Sequence, residues 1–545
     1  METVVDHDVV EVDEFDALCA TRSIEVKTAA GPVESVVSVA PIPTRYPVSA
    51  LKSLDNADHV GDVRLAAFVI PSIMTELNAS DGLVFLPGEP SRSYEDSDMG
   101  PAFRQRRYFY YLSGANFADC AVTYELASDR LILWIPYVEP RQVLWFGSTP
   151  GISECLKQFD VDDVRYTTQL NKFLYRHLAP GSTLYVIHAD QVPLHGDFFQ
   201  SAAEVRIDAT SLQPAMDQAR VVKTDYEVAM IRKATAVSAA AHRRVAEKLL
   251  RLENESEVEA IFQAWCTTSG AREQSYAIIA GSGKNASTLH YDANNEPLEG
   301  RELVVFDAGC EWHCYASDIT RTLPISGKFS AEAKAVYDIV ARMQDECISF
   351  IRPGTLFFDL HVHASRVAQQ GLLKLGVLKG DPAEVWGAGT VAAFFPHGLG
   401  HHVGLEVHDV SGRERLLLLN NVMGGQGGRV GKREVITPEM LGAMEQAAAS
   451  GAAAAAPYRG RQYLRKNMIV TVEPGIYFCR EYIEGYFLSN PRHARFINKT
   501  VLERYYRVGG VRIEDDILVT DDGYENLSTG APKGEELLKV INGKA

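Results

Sequence analysis

The chain contains 545 residues, of which 46% are hydrophobic and 23% charged, which is the composition of a globular protein with two or more domains. Its net charge of -17 argues against a basic surface that would neutralise nucleic-acid phosphates.

The sequence contains no pattern that indicates export or a membrane span. The first residues are acidic where a secretory signal needs a basic region and then an apolar run, and no later window is apolar for long enough to cross a bilayer. Eight cysteines are scattered without CxxC pairs or a disulfide-like rhythm. We therefore expect a cytoplasmic protein with free thiols, no nucleic-acid partner and no membrane partner.

The first half of the chain predicts an extension followed by an α/β domain. Residues 1–50 are acidic and then rich in Val, Ser, Ala and Pro, so they offer little apolar surface to offset the entropy of ordering and are predicted to be flexible. Residues 51–214 alternate between helical patterns and apolar runs. The runs Leu83–Leu86, Leu131–Ile135 and Leu184–Ile187 predict buried strands.

A second domain is predicted over residues 221–545. Thr224 to Glu227 has the form of a capping box and precedes an Ala-rich helix, and Ser256 to Glu259 repeats the pattern for the next helix. Strand-like segments follow at Ser275 to Ile279 and Leu303 to Phe306. Two helices followed by strands indicate an α+β domain.

A biased segment interrupts the second domain at about residues 411–460. It contains a Leu run, a GGQGG sequence and an Ala tract. Such a composition is typical of a surface insertion, partly helical in its Ala-rich half. We assign no chemistry to it.

Two aspartates are predicted to meet across a hairpin. Asp307 follows an apolar strand, and Asp318 lies where a second strand could return beside it, with Glu311 to Tyr315 near the turn. Either carboxylate alone is most often a solvated turn residue. The pair indicates a catalytic or metal site only when further groups lie beside it.

The richest segment for chemistry is residues 395–409, which carry four histidines and two carboxylates. Such a segment is poor core material because each buried polar atom needs a partner. A metal ion or a reacting substrate could be that partner.

Two further carboxylates lie near the carboxyl end. Glu473 ends a β-branched run, where burial is expected, and Glu514 lies two residues after Arg512, on the same face of a predicted strand. A buried Glu next to an Arg is usually a structural ion pair, so this reading stays open for Glu514 alone.

Together these groups favour a metal centre. Asp307, Asp318, Glu473 and Glu514 with one histidine form a cluster too negative to leave unneutralised, and two divalent cations would balance it. Carboxylate-rich ligation suits Mn(II), with Zn(II) or Co(II) as alternatives. Two bridged ions can hold and deprotonate one water molecule.

These motifs resemble those of the proline-specific metallopeptidases of the pita-bread fold, the Xaa-Pro aminopeptidase and prolidase family, from about Leu51 to Leu527. The resemblance implies a creatinase-like α/β amino-terminal domain followed by an α+β pita-bread catalytic domain. The matching motifs, in the order of the family, are Phe306–Gly309 with Ser317–Thr320, Pro396–His401 with Gly404–Asp409, Thr471–Tyr477, and Gly509–Asp516.

The resemblance also implies a role for individual residues. The metal ligands would be Asp307, Asp318, His401, Glu473 and Glu514, with Glu473 also taking the proton from the attacking water. The catalytic groups His397 and His408 would hold the substrate carbonyl and the tetrahedral intermediate, and His290 and Arg512 would border the pocket for proline. His402 has no role in the family pattern, and Asp409 and Asp515 would orient their neighbours.

The implied activity is that of a metal-dependent exopeptidase that releases the N-terminal residue from peptides with proline at position two, using water activated by a dinuclear centre. An imide bond lacks an N–H, which makes it awkward for general peptidases. Xaa-Pro dipeptidase is the close alternative, and Arg459 or Arg461 stands where a prolidase arginine captures the carboxylate of a dipeptide.

Two remoter alternatives are an inactive pita-bread module that binds peptides and a metal-free hydrolase resembling creatinase. Both are disfavoured because all five ligand positions are filled. The pattern is compatible with a homodimer but does not require one.

Overall fold

The computed structural model describes residues 65–193, 205–417 and 460–544. The predicted extension over residues 1–50 and most of the predicted insertion lie outside the described residues. The two domains considered below belong to one compact unit that begins at Gly61.

The amino-terminal domain is built on a six-stranded mixed sheet in the order β4-β3-β2-β1-β5-β6. Its strands are β1 (Leu83–Pro87), β2 (Ala121–Glu125), β3 (Arg130–Ile135), β4 (Asp163–Tyr166), β5 (Thr183–Tyr185) and β6 (Arg206–Asp208). Strand β1 pairs antiparallel with β2 and parallel with β5. The three predicted strands are confirmed as β1, β3 and β5.

Within the described part of this domain, five helices accompany the sheet. They are α1 (Leu65–Leu77), α2 (Arg107–Ser113), α3 (Pro140–Phe146), α4 (Ile152–Gln158) and α5 (Leu170–His177). The core contains Trp134, which is fully buried and packs against the tilted ring of Phe173, with 4.9 Å between the ring centroids. Its indole N–H donates to the Thr123 hydroxyl at 2.9 Å. The large side chain is thus buried with its one polar atom satisfied.

Three helices lead into the second domain: α6 (Leu212–Val221), α7 (Asp225–Lys248) and α8 (Glu255–Thr268). The predicted cap of α7 is confirmed, because the Thr224 hydroxyl accepts from the Glu227 amide and the Glu227 carboxylate accepts from the Thr224 amide. The predicted cap of α8 at Ser256 is wrong. Asn254 caps this helix, because its side-chain oxygen accepts from the Ser256 amide at 2.9 Å.

The second domain carries three small sheets. One is ordered β7-β8-β9, one β10-β13-β14, and the third pairs β11 with β12. The strands are β7 (Ile279–Ser282), β8 (Leu303–Asp307), β9 (Thr320–Pro324), β10 (Ile469–Val472), β11 (Gly475–Tyr477), β12 (Gly510–Arg512), β13 (Asp515–Val519) and β14 (Tyr524–Asn526).

The predicted strand at Ser275 to Ile279 is wrong, whereas the one at Leu303 to Phe306 is confirmed. Strand β7 begins only at Ile279. The Ser275 amide donates to the Gly309 carbonyl, and the Ser275 hydroxyl accepts from the Ser317 amide. The segment before β7 therefore binds both ends of the loop between β8 and β9.

The remaining helices pack around these sheets. They are α9 (Ala331–Ser349), α10 (Phe357–Lys374), α11 (Pro382–Ala388), the single turns α12 (Arg480–Tyr482), α13 (Pro491–Ala494) and α14 (Lys499–Leu502), and α15 (Gly534–Ile541). One buried cluster joins α9 and α10 to strands β10 to β13, which fixes the strands that carry the site. Among the described residues, no helix is both long and apolar enough to cross a membrane.

Candidate metal centre

The hairpin of β8 and β9 brings Asp307 and Asp318 together, as the sequence predicts. Asp307 pairs in register with Thr320, and Asp318 lies just before β9. The loop closes tightly at Gly309, where a Cβ atom would lie 1.9 Å from the Ser317 carbonyl oxygen, so only glycine fits there. Two carboxylates therefore leave adjacent strands at one point.

The histidine segment reaches the same point because its backbone docks on β10. The Thr471 amide donates to the His401 carbonyl at 2.8 Å, and the Glu473 amide donates to the Leu399 carbonyl at 2.8 Å. A Cβ at Gly400 would lie 2.0 Å from the Thr471 carbonyl oxygen, which explains this glycine. His401 is consequently held beside Glu473, with 3.3 Å between Nε2 and Oε1.

Arg512 and Glu514 face the same side of the chain, as predicted, because both side chains hydrogen-bond to the Thr320 hydroxyl, at 3.2 Å and 2.7 Å. They do not belong to one strand, since β12 ends at Arg512 and β13 begins at Asp515. Among the described residues the ion pair of Arg512 is with Asp307, at 2.6 Å, and not with Glu514. The reading of Glu514 as a simple ion-pair partner of Arg512 therefore lacks support.

Three overlapping groups of ligand atoms result, and within each group the atoms lie within 4.8 Å of one another. The groups are Asp318, His401 and His408; His401, Glu473 and Glu514; and Asp307, Asp318 and Glu514. Their members include all five residues that the sequence predicts as ligands, together with His408.

Without a cation, burial of so many carboxylates is unfavourable in free energy, because their charged forms are desolvated and repel one another. Burial, followed by the neighbouring Asp318, raises the pKa of Glu473 to about 7 in spite of His401 nearby. Burial and neighbouring carboxylates also raise the pKa of Asp318 and of Glu514 well above their usual values. The buried Oε1 of Glu514 has no hydrogen-bond partner among the described residues. A hard divalent cation fits this donor set.

The tautomer of His401 suits it as a ligand. Its Nδ1 lies 3.0 Å from the His402 carbonyl, which can only accept, so Nδ1 carries the proton and Nε2 presents a lone pair to the carboxylates. The His408 ring stands nearly perpendicular to the His401 ring, with 4.1 Å between the ring centroids. The geometry thus places His408 at the edge of the cluster.

His397 lies 4.0 Å from Glu473, between Nδ1 and Oε2, and belongs to a chain of hydrogen bonds. Its Nδ1 donates to the Gly398 carbonyl at 2.8 Å, so its Nε2 accepts from the Tyr477 hydroxyl at 2.9 Å. The same hydroxyl accepts from Arg512 at 3.0 Å. Both ring nitrogens are engaged, and the predicted contact of His397 with the substrate carbonyl stays a prediction.

His402 and His290 lie apart from the ligand groups. His402 is buried and contacts the Gln462 side chain, and burial lowers its pKa to about 3, so it is a neutral structural histidine. His290 occupies an exposed turn after β7, where the adjacent Tyr291 donates to Glu255. Its predicted role beside the proline pocket stays a prediction.

The profiles of two known families match the sequence of this chain. The profile of metallopeptidase family M24 matches residues 229–521, and that of the aminopeptidase P N-terminal domain matches residues 69–186. The chain belongs to metallopeptidase family M24. Membership confirms the expected family and implies that divalent metal ions serve the site.

Relatives of this M24 metallopeptidase match over its whole length. A protein of Colletotrichum graminicola named a probable Xaa-Pro aminopeptidase is 89% identical over 100% of both chains, and one of Metarhizium acridum with the same name is 55% identical over 99% of both. Zinc-substituted aminopeptidase P from Escherichia coli in complex with product is 27% identical, with a TM-score of 0.68, and covers 88% of this chain and 99% of its own. The expected creatinase-like and pita-bread domains are confirmed.

Sequence reasoning missed two tyrosines of the site. The Tyr276 hydroxyl lies 2.5 Å from Asp307 Oδ1 and 2.6 Å from Asp318 Oδ1, and Tyr477 joins His397 to Arg512. Tyr477 ends a motif that was recognised, so its position was visible but its role was not. No spacing in the sequence singles out Tyr276.

Proposed function

We propose that this M24 metallopeptidase is an Xaa-Pro aminopeptidase that removes the N-terminal residue from peptides with proline at position two. The observation that carries the proposal is the convergence of three buried carboxylates, the partly buried Glu473 and His401 in overlapping groups of ligand atoms. The names of the full-length relatives supply the substrate class.

The proposed ligands are Asp307, Asp318, His401, Glu473 and Glu514, and the carboxylate-rich set favours Mn(II) over Zn(II) or Co(II). Two divalent cations bound there would polarise the scissile carbonyl and lower the pKa of a water molecule. Glu473 takes the proton from the attacking water. His408, at the exposed edge, donates to the carbonyl oxygen as negative charge develops on it.

The proline side of the site is proposed to lie near Arg512 and His290. Arg512 is held by Asp307 and Tyr477, so its guanidinium is fixed before substrate arrives. A preorganised group of this kind orients a substrate without a further loss of side-chain entropy.

Peptide length is the point at which an aminopeptidase and a dipeptidase differ. Arg461, one of two arginines expected to capture a dipeptide carboxylate, is buried and stacks on Phe358 with 4.0 Å between Cζ and the ring centroid. Burial alone does not decide its role, and the names of the full-length relatives support the aminopeptidase. Arg459 lies outside the described residues.

A peptide panel tests the proposal. With Mn(II) present, Xaa-Pro-Xaa tripeptides are expected to be cleaved faster than Xaa-Pro dipeptides, and Xaa-Ala-Xaa peptides are the control for the proline requirement. Turnover of dipeptides alone would establish the dipeptidase. Absence of turnover of every peptide by the metal-loaded protein would overturn the proposal.

We further propose that the protein works in the cytoplasm. The seven cysteines in the described residues are thiols, and six of them are buried, which fits a reducing compartment. Fractionation of cells followed by immunodetection would check this, and recovery from the culture medium would contradict it.

A further inference from the structure

Charged residues flank His408 on both sides, and each is held by cations from elsewhere in the chain. Glu406 precedes His408 by two residues and Asp409 follows it directly. Neither carboxylate belongs to the ligand groups. Their partners therefore fix the short segment that carries the proposed catalytic histidine.

The ion pairs that hold Asp409 are wholly buried. Its carboxylate accepts from Arg220 at 2.6 Å and from Lys223 at 3.1 Å, and all three side chains are almost inaccessible to solvent. The Asp409 amide also donates to the His402 carbonyl at 2.9 Å. Removing one partner of such a group leaves a buried charge, so variants here are expected to lose stability first.

The ion pairs of Glu406 are more accessible to solvent than those of Asp409, and they involve the amino-terminal domain. Arg104 donates to Glu406 at 2.5 Å and to Glu311 at 2.5 Å through its two terminal nitrogens. Arg107 lies 2.5 Å from Glu311 and 3.5 Å from Glu406. Glu311 belongs to the loop between the two predicted aspartate ligands, so Arg104 links that loop to the histidine segment.

These cations come from outside the catalytic family match. Arg104 and Arg107 lie within the amino-terminal profile, and Arg220 and Lys223 lie between the two profiles, whereas the M24 match begins at residue 229. The segment that matches the M24 profile therefore lacks all four of these cations.

We propose that Arg104, through Glu406, is a positioning residue for His408 and that the amino-terminal domain thereby completes the active site. The inference rests on the proposed function, in which His408 holds the substrate carbonyl. Without Arg104, only Arg107 remains between Glu311 and Glu406, at 3.5 Å from Glu406. The repulsion between the two carboxylates is then less fully offset, and the His408 segment moves away from the hairpin.

The arrangement implies an effect on rate more than on stability. Arg104 is 46% exposed and Glu406 is 40% exposed, and the buried Glu311 keeps Arg107 as its partner when Arg104 is removed. Exposed ion pairs add little to folding free energy. A shift of about 1 Å in a catalytic group can lower the rate about a hundredfold.

The test is a double-mutant cycle between Arg104→Ala and His408→Ala, measured on an Xaa-Pro-Xaa peptide. Arg104→Ala is expected to lower kcat at least about tenfold while KM and bound metal change less than about twofold. In the His408→Ala background the same change is expected to have almost no further effect, because the positioned group is gone. If the role of Arg104 were purely structural, Arg104→Ala would lower kcat by the same factor in the parent and in His408→Ala.

The matched control is Arg106→Ala. Arg106 lies in the same segment and pairs at 2.9 Å with Glu89 inside its own domain, so its removal is expected to leave kcat unchanged. If Arg104→Ala behaves like Arg106→Ala while His408→Ala is slow, the inference fails and the proposed function stands. If the parent protein cleaves no Xaa-Pro peptide, the proposed function itself fails.

Discussion

His401 and His408 share one edge-to-face contact, yet their environments differ. The Nδ1 of His401 is committed to a backbone carbonyl, which directs Nε2 toward Asp318 and Glu473. His408 is more exposed and follows a turn that is held by charged neighbours. At the residue scale, ligation and carbonyl binding are therefore assigned to different histidines.

Metal content separates the two histidines. His401→Ala is expected to lower metal affinity at least about tenfold, because it removes a ligand of two of the three groups. His408→Ala is expected to keep both ions and to lose about a hundredfold in kcat. Metal analysis after dialysis, with kinetics on the same samples, checks this. Equal metal loss in both variants would show that His408 is also a ligand.

Tyr276 is expected to orient the aspartate ligands. One hydroxyl contacts Asp307 and Asp318 together, so Tyr276→Phe should leave the carboxylates less ordered and weaken metal binding about 10- to 100-fold. Calorimetric Mn(II) titration measures this. Tyr291→Phe, which removes a hydroxyl bonded to Glu255 outside the centre, is the control. Equal affinity in the two variants would contradict the role.

The candidate ligands could be named from the sequence because the chain carries the motifs of the family in the same order, and the structure brings these residues close together. The hydrogen bonds around them could not be predicted. Tyr276 donates across 31 and 42 residues of sequence, and no local pattern encodes such a contact. The ion pair of Arg512 was not predicted either, since proximity in sequence left Glu514 open as a partner and the fold supplies Asp307.

At the element scale, patterns of period and capping predicted the hairpin of β8 and β9, the start of α7 and the strand before Glu473. Errors occurred where two local signals compete. Asn254 and Ser256 can both cap a helix, and the tertiary contact of the Asn254 amide group with the Asn295 carbonyl favours the earlier start. The break between β12 and β13 has no sequence signature, because the residues there remain typical of strands.

Helix α10 carries a buried histidine that makes stability depend on pH. Burial lowers the pKa of His361 to about 3, and neither ring nitrogen has a hydrogen-bond partner among the described residues. The unfolded chain binds a proton near pH 6.5 that the folded chain does not. This group's contribution is thus present above pH 6.5 and is lost as the pH falls.

Urea unfolding at pH 7 and pH 5, at one metal concentration, tests this contribution. His361→Leu is expected to reduce the loss of unfolding free energy between these pH values by about 1 to 2 kcal/mol relative to the parent. His363→Leu, on the same helix but 35% exposed, is the control. An unchanged pH dependence in His361→Leu would contradict the assignment.

At the scale of the whole molecule, the amino-terminal domain contributes charges to the catalytic half. Arg104 and Glu406 are 302 residues apart in sequence, so no spacing argument could have joined them. The order of the motifs nevertheless predicted the family and both domains, because each motif encodes a local structure. The sequence therefore predicted which domains are present but not how they contact each other.

The central claim is that buried carboxylates and His401 hold two divalent ions for Xaa-Pro cleavage. The most direct measurement is titration of the metal-free protein with Mn(II) while the release of the N-terminal residue from an Xaa-Pro-Xaa peptide is followed, with Glu473→Gln alongside. We expect activity to rise until about two ions are bound per chain, and Glu473→Gln to stay at least about a hundredfold slower. Full activity without metal, or a loaded protein that leaves the peptide intact, would contradict the account.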